Sequence, residues 1–168
     1  MKTLVLGGAR SGKSRHAEKL AASTDKQKIY IATAQALDTE MQQRITRHQH
    51  DRGNGWHTIE EPLLLAETLA VHVNENKVIL VDCLTLWLTN LLLAGENIFM
   101  RERKALLHTL PQLTGDIIFV SNEVGLGIVA ADVLSRRFVD EAGHLHQALA
   151  AQCERVHFLV AGLAQNLK

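Results

Sequence analysis

Cysteine, proline, aromatic residues and excess charge are all scarce in this chain of 168 residues. It has two cysteines, Cys83 and Cys153, too far apart for a CxxC pair. That excludes a disulfide framework and a thiolate metal site, and it suits reduced thiols in the cytoplasm. Two prolines, Pro62 and Pro111, leave room for long helices. Eighteen Lys and Arg balance eighteen Asp and Glu. A neutral chain argues against a nucleic-acid partner, because polyanion binders carry a basic excess. The longest apolar stretch, residues 78–93, is interrupted by Asp82, Thr85, Thr89 and Asn90. It falls short of the ~20 apolar residues that span a bilayer. The run Leu4-Val5-Leu6 near the start is too short for the apolar region of a secretion signal. Together these absences predict a soluble cytoplasmic protein without a membrane span.

What is abundant is aliphatic: 46% of the residues are hydrophobic against 4% aromatic. The length suits one domain, residues 1–168, able to bury about 70% of its unfolded surface without metal or disulfide support. Five short apolar runs recur, at 3–6, 28–32, 77–82, 116–120 and 156–160. They are continuous rather than alternating, which predicts strands covered on both faces. Helical patterns lie between them, at 13–23, 38–52 (opened by Asp38), 62–74 (with Pro62 in its first turn), 84–93, 98–110 and 134–153. Gly53-Asn54-Gly55 marks a loop. Alternating units of this kind predict an α/β fold, a mostly parallel sheet with helices on both faces.

The strongest chemical signal is Gly7-Gly8-Ala9-Arg10-Ser11-Gly12-Lys13-Ser14, which fits the phosphate-loop pattern without a mismatch. Glycines let the backbone curl so that N–H groups converge on phosphate oxygens, and the helix that follows adds its positive end. Lys13 supplies a point charge for the β- and γ-phosphates, and the Ser14 hydroxyl is placed to ligate Mg²⁺. The strand before and the amphipathic helix after are the context such a loop requires, so the fold class narrows to P-loop NTPase-like. Asp82, closing the run Val-Ile-Leu-Val-Asp, has the place of the second metal-holding group, although a carboxylate at a strand end can also cap the next helix.

Nine histidines make no single one informative. Position discriminates: Arg44, His48 and Arg52 share one helix face at i, i+4 and i+8. An imidazole between guanidiniums stays neutral and nucleophilic, with cations nearby for phosphate oxygens. On the residues alone, a solvated charged face is the commoner outcome of such a pattern.

The motifs taken in order change that weighting. The loop GGARSGKSRHAE, then IATA at 31–34, RITRHQHDRGNGWHTIEEP at 44–62, VDCLTLWLTNLL at 81–92 and SNEVGLGIV at 121–129 run through nearly the whole chain. In this order they resemble the bifunctional adenosylcobinamide kinase / adenosylcobinamide-phosphate guanylyltransferase family of cobalamin (vitamin B12) assembly. The resemblance implies a trimeric P-loop transferase acting on a corrinoid with ATP or GTP. It implies a kinase step on the aminopropanol arm, followed by transfer of GMP through a covalent histidine. By its spacing to Arg52, that histidine is His48. The resemblance also implies that Ala32, Thr33, Ala34, Gln49, His50, Asp51, Arg52, Glu60 and Asp82 join residues 7–14 around the guanine nucleotide. Ala130 and His146 depart from the family, which often has proline after Gly-Ile-Val and Asn before Gln147. The stretch between Gly95 and Asp116 is shorter than in some relatives. The alternative reading is a plain P-loop small-molecule kinase with no covalent histidine step.

Other features have plainer readings. Glu123 lies just beyond a strand and could serve the acceptor hydroxyl, but a carboxylate there more often satisfies local N–H groups. Trp87 suits the core, Cys83 a buried small residue, and Arg136-Arg137 a solvated helix face. His144, His146 and His157 have no metal-ligand spacing.

Overall fold

The computed structural model describes residues 1–35 and 55–168. Strands β1 (Lys2–Gly7), β2 (Gln27–Ala32), β3 (Trp56–Glu60), β4 (Lys77–Asp82), β5 (Asp116–Asn122), β6 (Arg155–Val160) and β7 (Leu163–Asn166) form one sheet. Its order is β3-β2-β4-β5-β1-β6-β7. Every neighbouring pair is parallel except β6 and β7, an antiparallel edge hairpin. The described helices are α1 (Lys13–Ala22), α2 (Leu65–His72), α3 (Leu84–Ala94), α4 (Glu96–Thr109) and α5 (Val133–Gln152).

Alternation along each strand sorts the apolar side chains into two cores, one per face. Leu4, Leu6, Ile79, Val81, Ile117 and Phe119 pack with Leu65, Leu88, Leu106 and Leu145 of the helices that cover one face. Val5, Leu80, Ile118 and Val120 pack on the other face against Ala17 and Ala21 of α1. Both faces are therefore covered, as continuous aliphatic runs require. Helix α3 is apolar nearly all round because it lies between β5 on one side and α4 and α5 on the other. Trp87, fully buried in it, donates from Nε1 to the Leu63 carbonyl at 2.9 Å.

Several boundaries differ from the sequence expectation. β3 and β7 were not legible as strands. β3 is a half-exposed edge and β7 is exposed throughout, so neither carries the aliphatic run of a central strand. The helix expected from Pro62 begins at Leu65. The Glu61 carboxylate holds the N–H groups of Leu63 and Leu64 at 2.8 and 2.7 Å, keeping that stretch out of the helix. α5 begins at Val133 because Asp132 caps it, accepting from the Ser135 N–H at 2.8 Å. The helix expected over 38–52, with Asp38, lies outside the described residues.

Candidate functional site

The C-terminal ends of the parallel strands make one edge, where open α/β sheets carry their ligands. β1 ends there and turns into α1 through the phosphate loop. The Ser11 N–H donates to Gly8 O at 3.2 Å, and the His16 N–H to Gly12 O at 3.0 Å. Gly12 (φ 93°) caps α1, and Arg10 takes a left-handed φ of 57°. An arginine there carries strain, the mark of a loop shaped by its neighbours. Those neighbours are close. A Cβ on Gly7 would lie 2.5 Å from Ser11 Oγ and 2.7 Å from the Leu159 carbonyl. The β6–β7 turn donates its Gly162 N–H to Ser11 O at 2.9 Å. On the other side, the Glu123 N–H donates to Gly7 O at 3.0 Å.

Lys13 is buried, with Nζ donating to Gly8 O at 3.0 Å, so its ammonium folds back over the loop it serves. Burial pushes its pKa down, opposed by the nearby Cys83 and Asp82. Asp82 accepts from the Tyr30 hydroxyl at 3.1 Å through Oδ2. It does not cap α3, whose N-terminus has no side-chain cap. Ser14 opens α1 beside Lys13. A hydroxyl and a strand-end carboxylate are hard oxygen donors, the donor set that suits Mg²⁺.

Register brings the remaining candidates into line. Ala32 pairs with Glu60 on one side and with Asp82 on the other, so the three form a row across β3, β2 and β4. At ~4.8 Å per strand, Glu60 and Asp82 have Cα atoms about 10 Å apart. Glu60 is exposed, and Ala34 is half-buried beyond the end of β2. Thr33 is fully buried, and its polar atoms have protein partners. Its hydroxyl donates to Cys83 O at 2.8 Å and accepts from the Cys83 N–H at 2.9 Å. Its N–H donates to Asp82 O at 3.2 Å, and its carbonyl accepts from Asn90 Nδ2 at 2.8 Å. Thr33 therefore welds the end of β2 to the turn that carries Asp82. His48, Gln49, His50, Asp51 and Arg52 lie outside the described residues, as do Arg44 and the Gly53-Asn54 pair.

Three supporting residues escaped the sequence reading. Tyr30 orients Asp82, the turn at Gly162 braces the loop, and Asn90 ties Thr33 O to Pro62 O, the latter at 3.1 Å. Only Asn90 left a trace in the sequence, as an amide inside an apolar helix. Glu123 does satisfy a local donor, the Gly125 N–H at 2.5 Å. Cys83 is buried, and burial pushes its thiol up. Arg137 reaches Glu96 Oε2 at 2.5 Å, while Arg136 holds the Ala130 carbonyl at 3.1 Å. These arginines have intramolecular partners rather than a purely solvated face. His157 pairs with His16 at 2.8 Å. His144 lies 3.9 Å from Glu141, and His146 bonds Ser121.

Comparison with known proteins agrees with this geometry. The chain is 58% identical to the bifunctional adenosylcobalamin biosynthesis protein CobP of Pseudomonas aeruginosa, over all of this chain and 98% of that protein. It is 39% identical to the bifunctional adenosylcobalamin biosynthesis protein CobU of Escherichia coli and 38% identical to that of Salmonella typhimurium, over the full length of both partners in each case. Among solved structures, an ATPase from the type III secretion system of pathogenic bacteria matches with a TM-score of 0.50 at 12% identity. That match covers 98% of this chain and 56% of the ATPase, and it is a likeness of fold alone. The family model for cobinamide kinase / cobinamide phosphate guanyltransferase matches residues 3–167, and the chain belongs to that family.

Proposed function

We propose that this protein performs two transfers at one nucleotide site in adenosylcobalamin biosynthesis. In the first, the hydroxyl of the aminopropanol arm of adenosylcobinamide attacks the γ-phosphorus of ATP or GTP. The bond to the bridging oxygen breaks, and the nucleoside diphosphate leaves. In the second, an imidazole nitrogen of His48 attacks the α-phosphorus of GTP and expels pyrophosphate. The new phosphate of the corrinoid then attacks the guanylyl-histidine. The P–N bond breaks, and adenosyl-GDP-cobinamide is released. A phosphoramidate is reactive enough to pass GMP to a weak phosphate nucleophile.

The observation that carries this reading is the phosphate loop at the sheet edge, with Lys13 folded over it at 3.0 Å from Gly8 O, in a chain matched to the family over 3–167. Lys13 and the loop amides of residues 7–14 hold the triphosphate in both steps. The attacking group therefore decides which phosphorus reacts. Mg²⁺, held by Ser14 and Asp82, would neutralise triphosphate charge. Ala32, Ala34 and Glu60 border the nucleotide from the β2–β3 side, and Gln49, His50, Asp51 and Arg52 complete its pocket. The assembly is a trimer, to be checked by light scattering of the purified protein. Two buried free thiols, Cys83 and Cys153, support a cytoplasmic setting.

Intact mass after incubation with Mg²⁺ and GTP tests the scheme. A gain of one GMP is expected, lost in His48→Ala, while phosphorylation of adenosylcobinamide persists. Phosphorylation without any guanylylated species would instead establish a plain kinase.

A further inference from the structure

Ser121, His146 and Glu123 form a chain of side chains beside the phosphate loop. Ser121 is fully buried near the end of β5, and its Oγ lies 2.7 Å from Nε2 of His146, itself buried in α5. Nδ1 of the same ring lies 3.8 Å from Glu123 Oε2. The other oxygen, Oε1, accepts from the Gly125 N–H at 2.5 Å. The Glu123 side chain keeps 22% of its surface exposed, so it is held from behind without being sealed from solvent. The backbone bond from Glu123 N–H to Gly7 O, 3.0 Å long, ties the Glu123 main chain to the first residue of the loop.

We propose that Glu123 accepts the proton of the acceptor hydroxyl in the phosphoryl transfer, and that His146, backed by Ser121, is the positioning residue that aims it. This rests on the kinase step proposed above. The carboxylate takes the hydroxyl proton as the oxygen bonds to the γ-phosphorus. The bridging P–O bond breaks, and its electron pair leaves with the nucleoside diphosphate. Burial holds the imidazole pKa down, opposed by the Glu123 carboxylate. Nε2 of the neutral ring shares its hydrogen bond with the Ser121 hydroxyl, and the opposite edge of the ring packs beside the Glu123 carboxylate at 3.8 Å, a steric wall rather than a hydrogen-bond donor. An asparagine amide offers one donor and one acceptor as the neutral ring does, which makes His146→Asn the conservative variant.

The guanylylation of His48 deprotonates no hydroxyl, so the two half-reactions separate the roles. The test compares wild type, Glu123→Gln, His146→Ala and His146→Asn in the whole protein. It measures kcat and KM for adenosylcobinamide phosphorylation alongside label retained from α-³²P-GTP. Glu123→Gln should lower kcat about 100-fold or more relative to label, the usual span for a lost general base. It should do so with little change in KM for the nucleotide. His146→Ala should lower kcat about 10-fold, and His146→Asn should restore most of it. Glu123→Gln phosphorylating at the wild-type rate overturns the proposal. So does His146→Ala losing kcat, KM and label in parallel with its melting temperature. If Glu123→Gln fails to fold, Glu123→Asp replaces it, and an undiminished ratio of phosphorylation to label overturns the proposal equally. A wild-type protein that phosphorylates no cobinamide refutes the underlying reading instead.

Discussion

Thr33→Val is the most direct test of how the site is held together. Valine keeps the volume and removes the hydroxyl, which bonds both the N–H and the carbonyl of Cys83 at 2.9 and 2.8 Å. Both partners are buried next to Asp82, and water cannot replace the lost contacts without opening the junction of β2 and β4. The Cys83 carbonyl keeps its bond from the Trp87 N–H at 3.1 Å, so the Cys83 N–H is the group left unsatisfied, and one such buried group costs about 1–3 kcal/mol. For a domain of this size that lowers Tm by about 2–12 °C. Thr33→Ser keeps the hydroxyl and loses one buried methyl, costing about 1 kcal/mol. Calorimetry or denaturant melts of the two variants give the comparison directly, and nucleotide affinity should weaken more in the valine variant because Asp82 loses its anchor. A valine variant as stable as the serine variant would show that these bonds do not hold the edge together, and the argument would fail.

Other outcomes follow from the same geometry. Gly7→Ala should abolish nucleotide binding and cost about 2 kcal/mol or more, since its Cβ meets the Leu159 carbonyl at 2.7 Å, whereas a Cβ on Gly8 meets nothing within 4 Å; comparative melts and nucleotide titrations check the pair. Lys13→Met should remove both transfers together, because the ammonium serves whichever phosphorus reacts; activity assays that spare one transfer would contradict a shared site. Burial depresses the pKa of His16, His146 and His157 below the ordinary 6.5, so below that value the unfolded chain binds protons that the folded one refuses. Stability should therefore be intact above about pH 7 and fall as pH drops through 6.5 toward the depressed values, by at most about 1.4 kcal/mol per pH unit for each histidine. His146→Asn should flatten that slope in urea melts taken across this range.

Much of the site was legible because phosphate binding imposes a local rule. Glycines at a fixed spacing, a lysine and a serine stand as neighbours in sequence, so residues 7–14 announce themselves. The same holds for the central strands, whose burial on both faces demands unbroken aliphatic runs such as Val78 to Val81. Edge strands obey no such demand. Exposed β7 and half-exposed β3 therefore read as loop, and the bracing of Ser11 by Gly162 stayed hidden with them.

The sequence by itself determined the α/β class, the phosphate loop and its lysine, and the order of motifs that places the chain in its family. Only the tertiary structure decided that Glu60, Ala32 and Asp82 stand in one row, that Thr33 is a weld, and that Ser121, His146 and Glu123 meet. The physical reason is range. Dihedral preference and hydrophobic period act over a few residues and leave their mark in neighbouring letters. Strand order and register join residues tens of positions apart, through contacts that no local pattern encodes.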